Sequence, residues 1–444
     1  MRVKQKKFHF ECLSCGYEID GFEEWFGNHQ SCPQCGGNQV YTVYATLKEN
    51  LIDLLKPDKP VQSLWHYFDF LPLNHTENIV SDGEGVSPIQ RWKFLENFAS
   101  EHYGLHIEVY VNRNDYSPAT GTFKDKGASL AASVLKEHGI KEYVVASTGN
   151  TANAFAQYLA KAGISASIFV PQDSLRENFV HIGSLGQKVY IVKGDYAYAK
   201  KLAKEYAEKY NVLISIGNMD PLRLEAKKTT AFEIIRQLGK MPDVYIQAIS
   251  GGTSPLALEK AFHDFGDLDI LGKMPRMIFI QGDRCDPQVQ AWNKAKANGF
   301  PPGWENDYPV IENPKTLVPT LATGNPVLYP RLARLVKRTG GEYFSVNEEM
   351  AVNMSRLVAY EVAVKVGPAS AVGLLGFFEA LKNGVIHDHE SVFINMGEGV
   401  RRAISFLEEV SFTTEQVTDI NDLKRFDRCK YKDFVWKPFL EHYT

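Results

Sequence analysis

From residue 105 onward, short β-branched runs alternate with helical stretches, and this alternation restricts the fold more than any other feature of the chain. "EYVVAS" leads into "TANAFAQYLAKAG", "SASIFV" follows, "KVYIVKG" precedes "YAYAKKLAKEYAEKY", and "DVYIQAI" precedes "SPLALEKAF". "RMIFIQG" and "SVFINMG" head two further units of the same kind. Strand-helix-strand order predicts parallel sheets covered on both faces, an α/β body of doubly wound type. Gly139 and Gly163 fall just past helix ends, where a residue at positive φ costs little. Ligands in such sheets bind at the loops leaving the carboxyl ends of strands. Three of those loops are polar and glycine-rich: "ASTGNTAN", "SGGTS" and "NMGEG".

With 444 residues the chain exceeds the size at which a single core stops growing, so two or three domains are expected. A formal net charge of -4 lacks the basic excess of a phosphate-backbone binder, and no nucleic-acid partner is expected. The short basic start, Arg2, Lys4, Lys6 and Lys7, reads as a solvated terminus. No stretch reaches the roughly 18 to 20 apolar residues that cross a bilayer. The N-terminal "MRVKQKKFHFECLSCG" lacks the apolar run of a secretory signal. A cytoplasmic protein with no membrane partner is the resulting expectation.

Four of the six cysteines sit in "CLSCGYEIDGFEEWFGNHQSCPQCGG" as two C-x-x-C pairs, Cys12 with Cys15 and Cys32 with Cys35. Each pair puts two thiolates on one tight turn, and two such turns close a tetrahedral S4 shell around zinc. Four cysteines fill that shell and leave no open position, so the metal is structural and His29 is not expected among its ligands. Residues 49–80, rich in proline and aromatics, read as an ordered connector packed on the next domain. His387 and His389 read as solvent-facing, and Cys285 and Cys429 as ordinary thiols.

Ser250 to Pro255, "SGGTSP", lies between a buried strand and a helix. Gly251 and Gly252 there let backbone N–H groups turn toward an anion at the positive end of a helix dipole; taken alone, a diglycine turn is as readily a plain tight turn. In "STGNT", Ser147 to Thr151, hydroxyls and free backbone donors suit a carboxylate, with a plain N-cap by Asn150 or Thr151 as the alternative. Lys124, in "SPATGTFKDKG", opens a helix, where the dipole disfavours a cation and lowers the amine's pKa. An amine that is partly neutral attacks a carbonyl to form a Schiff base. An aldehyde cofactor carrying a phosphate accounts for the lysine and the cradle together, and pyridoxal phosphate is such a cofactor.

"TGTFKDKG", "STGNTA", "RLEAKKTTAFEI", "SGGTS", "ATGNPV" and "GPASAVGLLG" resemble, in order and approximate spacing, motifs of the threonine synthase family, fold-type-II pyridoxal-phosphate enzymes. The similarity runs from about residue 65 to 405, and the cysteine ribbon resembles the N-terminal extension of some members. The resemblance implies two doubly wound parallel-sheet domains beside a small zinc ribbon. It divides the chain into a ribbon (1–48), a connector (49–80), a larger cofactor-phosphate domain (81–114 with 215–410), a smaller domain bearing the Schiff-base lysine and the carboxylate loop (115–214), and a tail (411–444). The tail is expected to dock on the body or on a neighbouring subunit, and a homodimer is implied.

By the same resemblance Lys124 holds the cofactor and Asn150 meets its ring hydroxyl. Ser147, Thr148 and Thr151 grip the substrate carboxylate, Ser250, Gly251, Gly252 and Thr253 hold the cofactor phosphate, and Arg223 binds a substrate phosphate. The implied reaction converts O-phosphohomoserine and water to threonine and phosphate, with Lys124 shuttling protons and Lys126 as the cationic neighbour that lowers its pKa. Two departures stand out. "NMGEG" replaces "TGHG", putting Met396 in place of a hydroxyl, so that either Asn395 or Glu398 reaches the ring nitrogen or nothing does, with Glu398 taken as a cofactor contact. "GPAS" replaces "EPAS", removing a glutamate at Gly367. Two other functions are compatible with the sequence: β-replacement on an activated serine such as O-phosphoserine, as in cysteate or cysteine synthase, and a catalytically silent zinc-ribbon regulator.

Overall fold

The computed structural model describes residues 6–147, 149–401 and 403–444. Arg2, Lys4 and Thr148 therefore lie outside the described residues. Thirteen strands are described. β1 (Phe8–Cys12), β2 (Glu18–Ile19) and β3 (Val40–Tyr44) form a small antiparallel sheet in the order β2-β1-β3. β4 (Ile89–Arg91) and β5 (Glu108–Arg113) are followed by β6 (Glu142–Ala146), β7 (Ser165–Pro171), β8 (Lys188–Val192) and β9 (Leu213–Ile214). β10 (Val244–Ala248), β11 (Arg276–Gly282), β12 (Glu342–Val346) and β13 (Ser391–Met396) complete the set. A six-stranded sheet runs β12-β11-β10-β13-β5-β4, parallel except for the antiparallel edge strand β4. A four-stranded parallel sheet runs β8-β7-β6-β9.

The runs expected as strands are β6, β7, β8, β10, β11 and β13, and the central ones are apolar along their length because helices cover both faces. Both sheets point the carboxyl ends of their strands at a shared crevice. Between β10 and β13 the order reverses: β10 leads outward to β11 and β12, while β13 returns beside β5. Such a reversal opens a gap between neighbouring crossovers, and ligands enter there.

The ribbon is packed on the body. Phe10 and Phe22 meet edge-on with centroids 4.8 Å apart, and with Phe8 and Trp25 they share one apolar core with Ala128, Ala131 and Leu135 of the Lys124–Glu137 helix. Lys7 is not a solvated terminal charge. Its Nζ donates to the Phe68 and Leu73 carbonyls at 2.7 and 2.6 Å and lies 3.4 Å from the centroid of the Phe68 ring. The connector supplies Leu51, Leu55, Tyr67 and Phe70 to the core beneath the Pro221–Leu238 and Thr253–Phe265 helices. The C-terminal Tyr431–Tyr443 helix buries Val435, Phe439 and Tyr443 against the six-stranded sheet's outer core. Among the described residues no helix is long and apolar enough to cross a membrane.

Candidate active site and metal centre

One cavity of about 220 Å³ opens where the two sheets meet, and it gathers the polar loops picked out from the sequence. Lys124, Ser147, Asn150, Thr151, Arg223, Ser250, Gly251, Gly252, Thr253 and Glu398 all line it. They come from five segments separated by up to 274 positions, which only the crossover topology brings together.

Lys124 is the first residue of the Lys124–Glu137 helix. The loop before it is fixed by its neighbour: the Asp125 carboxylate accepts from the Ala119 and Thr120 N–H groups at 3.1 and 3.0 Å. The Phe123 N–H donates to the Gly397 carbonyl at 3.1 Å, and the Gly399 N–H to that of Gly121 at 2.9 Å, so the lysine loop is stitched to the exit of β13. A Cβ at Gly397 would stand 2.7 Å from the Phe123 ring, which is why glycine occupies that position. Burial, and then the Arg223 guanidinium, lower the Lys124 amine to about 8, with Glu398 opposing. Lys126 is not the responsible cation. It turns away and donates to Thr230 Oγ1 at 2.9 Å, because residues two apart on a helix face different ways.

The glycine turn after β10 has little freedom to change. Gly252 caps the Thr253–Phe265 helix at φ +73°, and its added Cβ would lie 2.2 Å from Leu332 Cδ1. At Gly251 a Cβ would lie 1.6 Å from Asn218 Nδ2. Thr253 Oγ1 donates to Asn218 Oδ1 at 2.9 Å, while Ser254 Oγ is buried without a hydrogen-bond partner among the described residues. A small anion at this helix end supplies the missing acceptor and meets the open N–H groups of the first turn.

At the mouth of the Asn150–Lys161 helix the cap is Gly149, neither Asn150 nor Thr151. Ser147 Oγ accepts from the Gly149 and Ala152 N–H groups at 3.2 and 3.3 Å, which leaves its own proton to donate. Arg223 Nη2 donates to Ser215 Oγ at 2.9 Å, but its buried Nε has no acceptor among the described residues.

β13 resolves the two sequence departures. Strand alternation sends Met396 into the apolar core and Asn395 to the cavity side, so no thioether takes the hydroxyl's place. Asn395 is fully engaged. Its Oδ1 accepts from Asn112 and Asn114 at 3.1 and 2.9 Å, and its Nδ2 donates to Tyr245 Oη and Gln247 Oε1, both at 2.9 Å. Glu398 Oε1 accepts from the Ala369 N–H at 2.9 Å, and Oε2 accepts from Asn150 Nδ2. A Cβ at Gly367 would fall 2.9 Å from Glu398 Cγ. The Gly399 carbonyl oxygen would be closer still, at 2.5 Å, so backbone and Glu398 together leave no room for a side chain at 367. Burial raises the Glu398 carboxyl above the ordinary carboxylate value.

In the ribbon the sulfurs of Cys12, Cys15, Cys32 and Cys35 lie within 4.8 Å of one another, and none is in a disulfide. Two of the separations are 3.6 and 3.7 Å. Zinc–sulfur bonds of about 2.3 Å at tetrahedral angles put sulfurs about 3.8 Å apart, so these four thiols suit one zinc ion. Gly16 and Gly36, at φ +71° and +73°, make the turn after each pair possible.

A family model for pyridoxal-phosphate-dependent enzymes matches residues 80–397. Over 423 residues the chain is 30% identical to a threonine synthase of Methanocaldococcus jannaschii, spanning 93% of this chain and 98% of that one. It belongs to the threonine synthase family of pyridoxal-phosphate-dependent enzymes. A second threonine synthase, from Methanosarcina acetivorans, is 30% identical over 389 residues, covering 87% of this chain and 90% of its own. Among solved structures, a threonine deaminase isoform of Solanum lycopersicum shares the fold with TM-score 0.59 at 18% identity, covering 82% and 88% of the two chains. Diaminopropionate ammonia lyase of Escherichia coli shares it with TM-score 0.59 at 16% identity, covering 82% and 92%. This threonine synthase family member is a pyridoxal-phosphate-dependent lyase, and its cavity fits the cofactor: an amine of lowered pKa lies in the same pocket as a phosphate-sized glycine turn with an unsatisfied hydroxyl.

Sequence reasoning missed several lining residues. Asn218, Gln247 and Tyr196 belong to no recognisable pattern and are placed only by packing. Lys227 was open to inference, since it stands four residues after Arg223 and therefore on the same helical face.

Proposed function

We propose that this lyase converts O-phosphohomoserine and water to threonine and inorganic phosphate. The observation that carries the reading is the charge on the cavity wall. Among the described residues, Lys124, Lys200, Arg223 and Lys227 line it against a single carboxylate, Glu398. With Lys124 taken up by the cofactor, a cofactor phosphate and an amino acid bearing its own phosphate bring negative charge to the three remaining basic side chains, whereas an uncharged leaving group does not.

Lys124 would hold the cofactor, Ser250 to Ser254 its phosphate, and Asn150, oriented by Glu398, its ring hydroxyl. Bound there, pyridoxal phosphate supplies an electron sink for the pair left at the substrate's α-carbon when the proton departs. The substrate carboxylate meets the Ser147 hydroxyl and the N–H groups at the head of the Asn150–Lys161 helix, and Thr151 adds a second hydroxyl. Thr148 is assigned to the same loop by resemblance. Lys124 Nζ, with a pKa of about 8, accepts a proton from the α-carbon and another from the β-carbon. As the C–O bond to the γ-phosphate breaks, phosphate leaves against Arg223. A proton returned to the γ-carbon makes the methyl group, water adds as hydroxide at the β-carbon while its other proton goes to the departed phosphate, and a proton returned to the α-carbon completes threonine. Four cysteines hold zinc in a role confined to structure, and the assembly is a cytoplasmic homodimer.

Turnover is the test. Purified holoenzyme given O-phosphohomoserine should release threonine and phosphate in equal amounts. The reading fails if no threonine forms while O-phosphoserine with sulfite yields cysteate.

A further inference from the structure

Lys227 has no partner that explains its burial. It is 4% exposed, and no hydrogen bond or ion pair of its Nζ is found among the described residues; its Nζ lies 5.1 Å from the centroid of the Phe123 ring. The other buried lysines are satisfied. Lys126 donates to Thr230, Lys228 pairs with Glu225 at 2.6 Å and Asp264 at 3.1 Å, and Lys260 donates to the Thr42 carbonyl at 2.9 Å. Burying a cation without an acceptor is costly, so a side chain kept that way points to a ligand that completes it.

Its position says which ligand. Arg223 and Lys227 stand one helical turn apart on the same face of the Pro221–Leu238 helix, and both line the cavity. Arg223 is 8% exposed and has a buried Nε without an acceptor. A lysine amine and an arginine Nε that lack acceptors among the described residues, side by side on the cavity wall, suit an anion with several oxygens. Neither belongs to the glycine turn, which has its own backbone donors. Burial, and then the charges of Lys124 and Arg223, press the Lys227 amine well below its ordinary value, with Asp220 opposing. An incoming dianion relieves that repulsion and lets the amine carry its proton, while a neutral group leaves it unrelieved.

We propose that Lys227 and Arg223 together grip the phosphoryl group of a phosphate-monoester substrate, with Lys227 selecting a dianionic tetrahedral group over a neutral one. The inference rests on the reading of function above for the identity of the ester, but its chemistry is anion recognition alone.

The test uses holoenzyme, in which the glycine turn is already filled, and inorganic phosphate as the probe, titrated by calorimetry. Lys227→Gln should weaken phosphate binding tenfold or more, the scale of one charge-assisted hydrogen bond. Lys227→Arg should stay within about threefold. Both should keep wild-type cofactor content and visible spectrum. Lys227→Gln should also melt no lower than wild type, since it removes an unpaired buried amine. Three results would overturn the proposal: phosphate affinity in Lys227→Gln equal to wild type, loss of cofactor from it, or a melting temperature several degrees lower. If O-phosphohomoserine proves not to be a substrate, the reading of function falls and the phosphate titration still reports on Lys227. If Lys227→Gln binds phosphate normally, this inference falls and turnover stands.

Discussion

The lowered amine of Lys124 makes a quantitative prediction about how fast the apoprotein captures its cofactor. Only the neutral amine attacks an aldehyde, so the capture rate follows the neutral fraction. With a pKa of about 8, roughly a tenth of Lys124 is neutral at pH 7. At the ordinary value of 10.5 about one part in three thousand would be, so the cavity gives a gain of roughly 300-fold. The sign follows: below pH 8 the rate should rise about tenfold per pH unit, and above it the rate should level off. Apoprotein mixed with pyridoxal phosphate in a stopped-flow instrument, with visible absorbance as the readout, measures this directly. Arg223 is the charge that most depresses the amine and Glu398 the one that opposes it. Arg223→Met should therefore shift the levelling point to higher pH, and Glu398→Gln should shift it lower. A rate that climbs without levelling through pH 10, or an Arg223→Met profile that overlays wild type, would refute the reasoning.

Three further outcomes follow from the packing. Gly251→Ala would press a Cβ 1.6 Å from Asn218 Nδ2, so equilibrium dialysis should show cofactor affinity reduced by tenfold or more. A chelator with a colorimetric zinc indicator should release one zinc ion per chain from wild type, and none from Cys12→Ser purified without added metal; four newly reactive thiols should accompany the loss in wild type. Lys260→Met would leave Glu225 and Asp264 with Lys228 as their one remaining lysine partner among the described residues, at a cost of about 3–5 kcal/mol seen as a fall in melting temperature.

That cluster shows where sequence reading stops. Lys228 and Lys260 look like ordinary charges of amphipathic helices, yet both side chains are fully buried, and Lys260 reaches the Thr42 carbonyl in β3 of the ribbon. Tyr44 of the same strand donates to Glu225 at 2.7 Å. A buried polar group says nothing of its partner in a one-dimensional pattern, because that partner lies across a domain boundary. Met396 and Gly367 illustrate the same limit. Compared with family motifs one at a time, they look like two losses. In space, Met396 belongs to the core by the alternation of β13, and the Gly399 carbonyl with Glu398 leaves room for nothing larger than glycine at 367. Lys126 is near Lys124 in sequence but is not its tuning charge, because the helix turns it toward Thr230.

The sequence by itself determined the class of fold, the paired thiols and the chemistry of the pocket loops, since each rests on local rules: a two-residue or 3.6-residue period, a tight turn, a helix end. Only the tertiary structure decided which charges sense one another, which strand face meets the cavity, and that Lys227 stands beside Arg223 with no ion pair among the described residues. Electrostatic coupling and exclusion of volume depend on distance through space, and distance along the chain does not fix them.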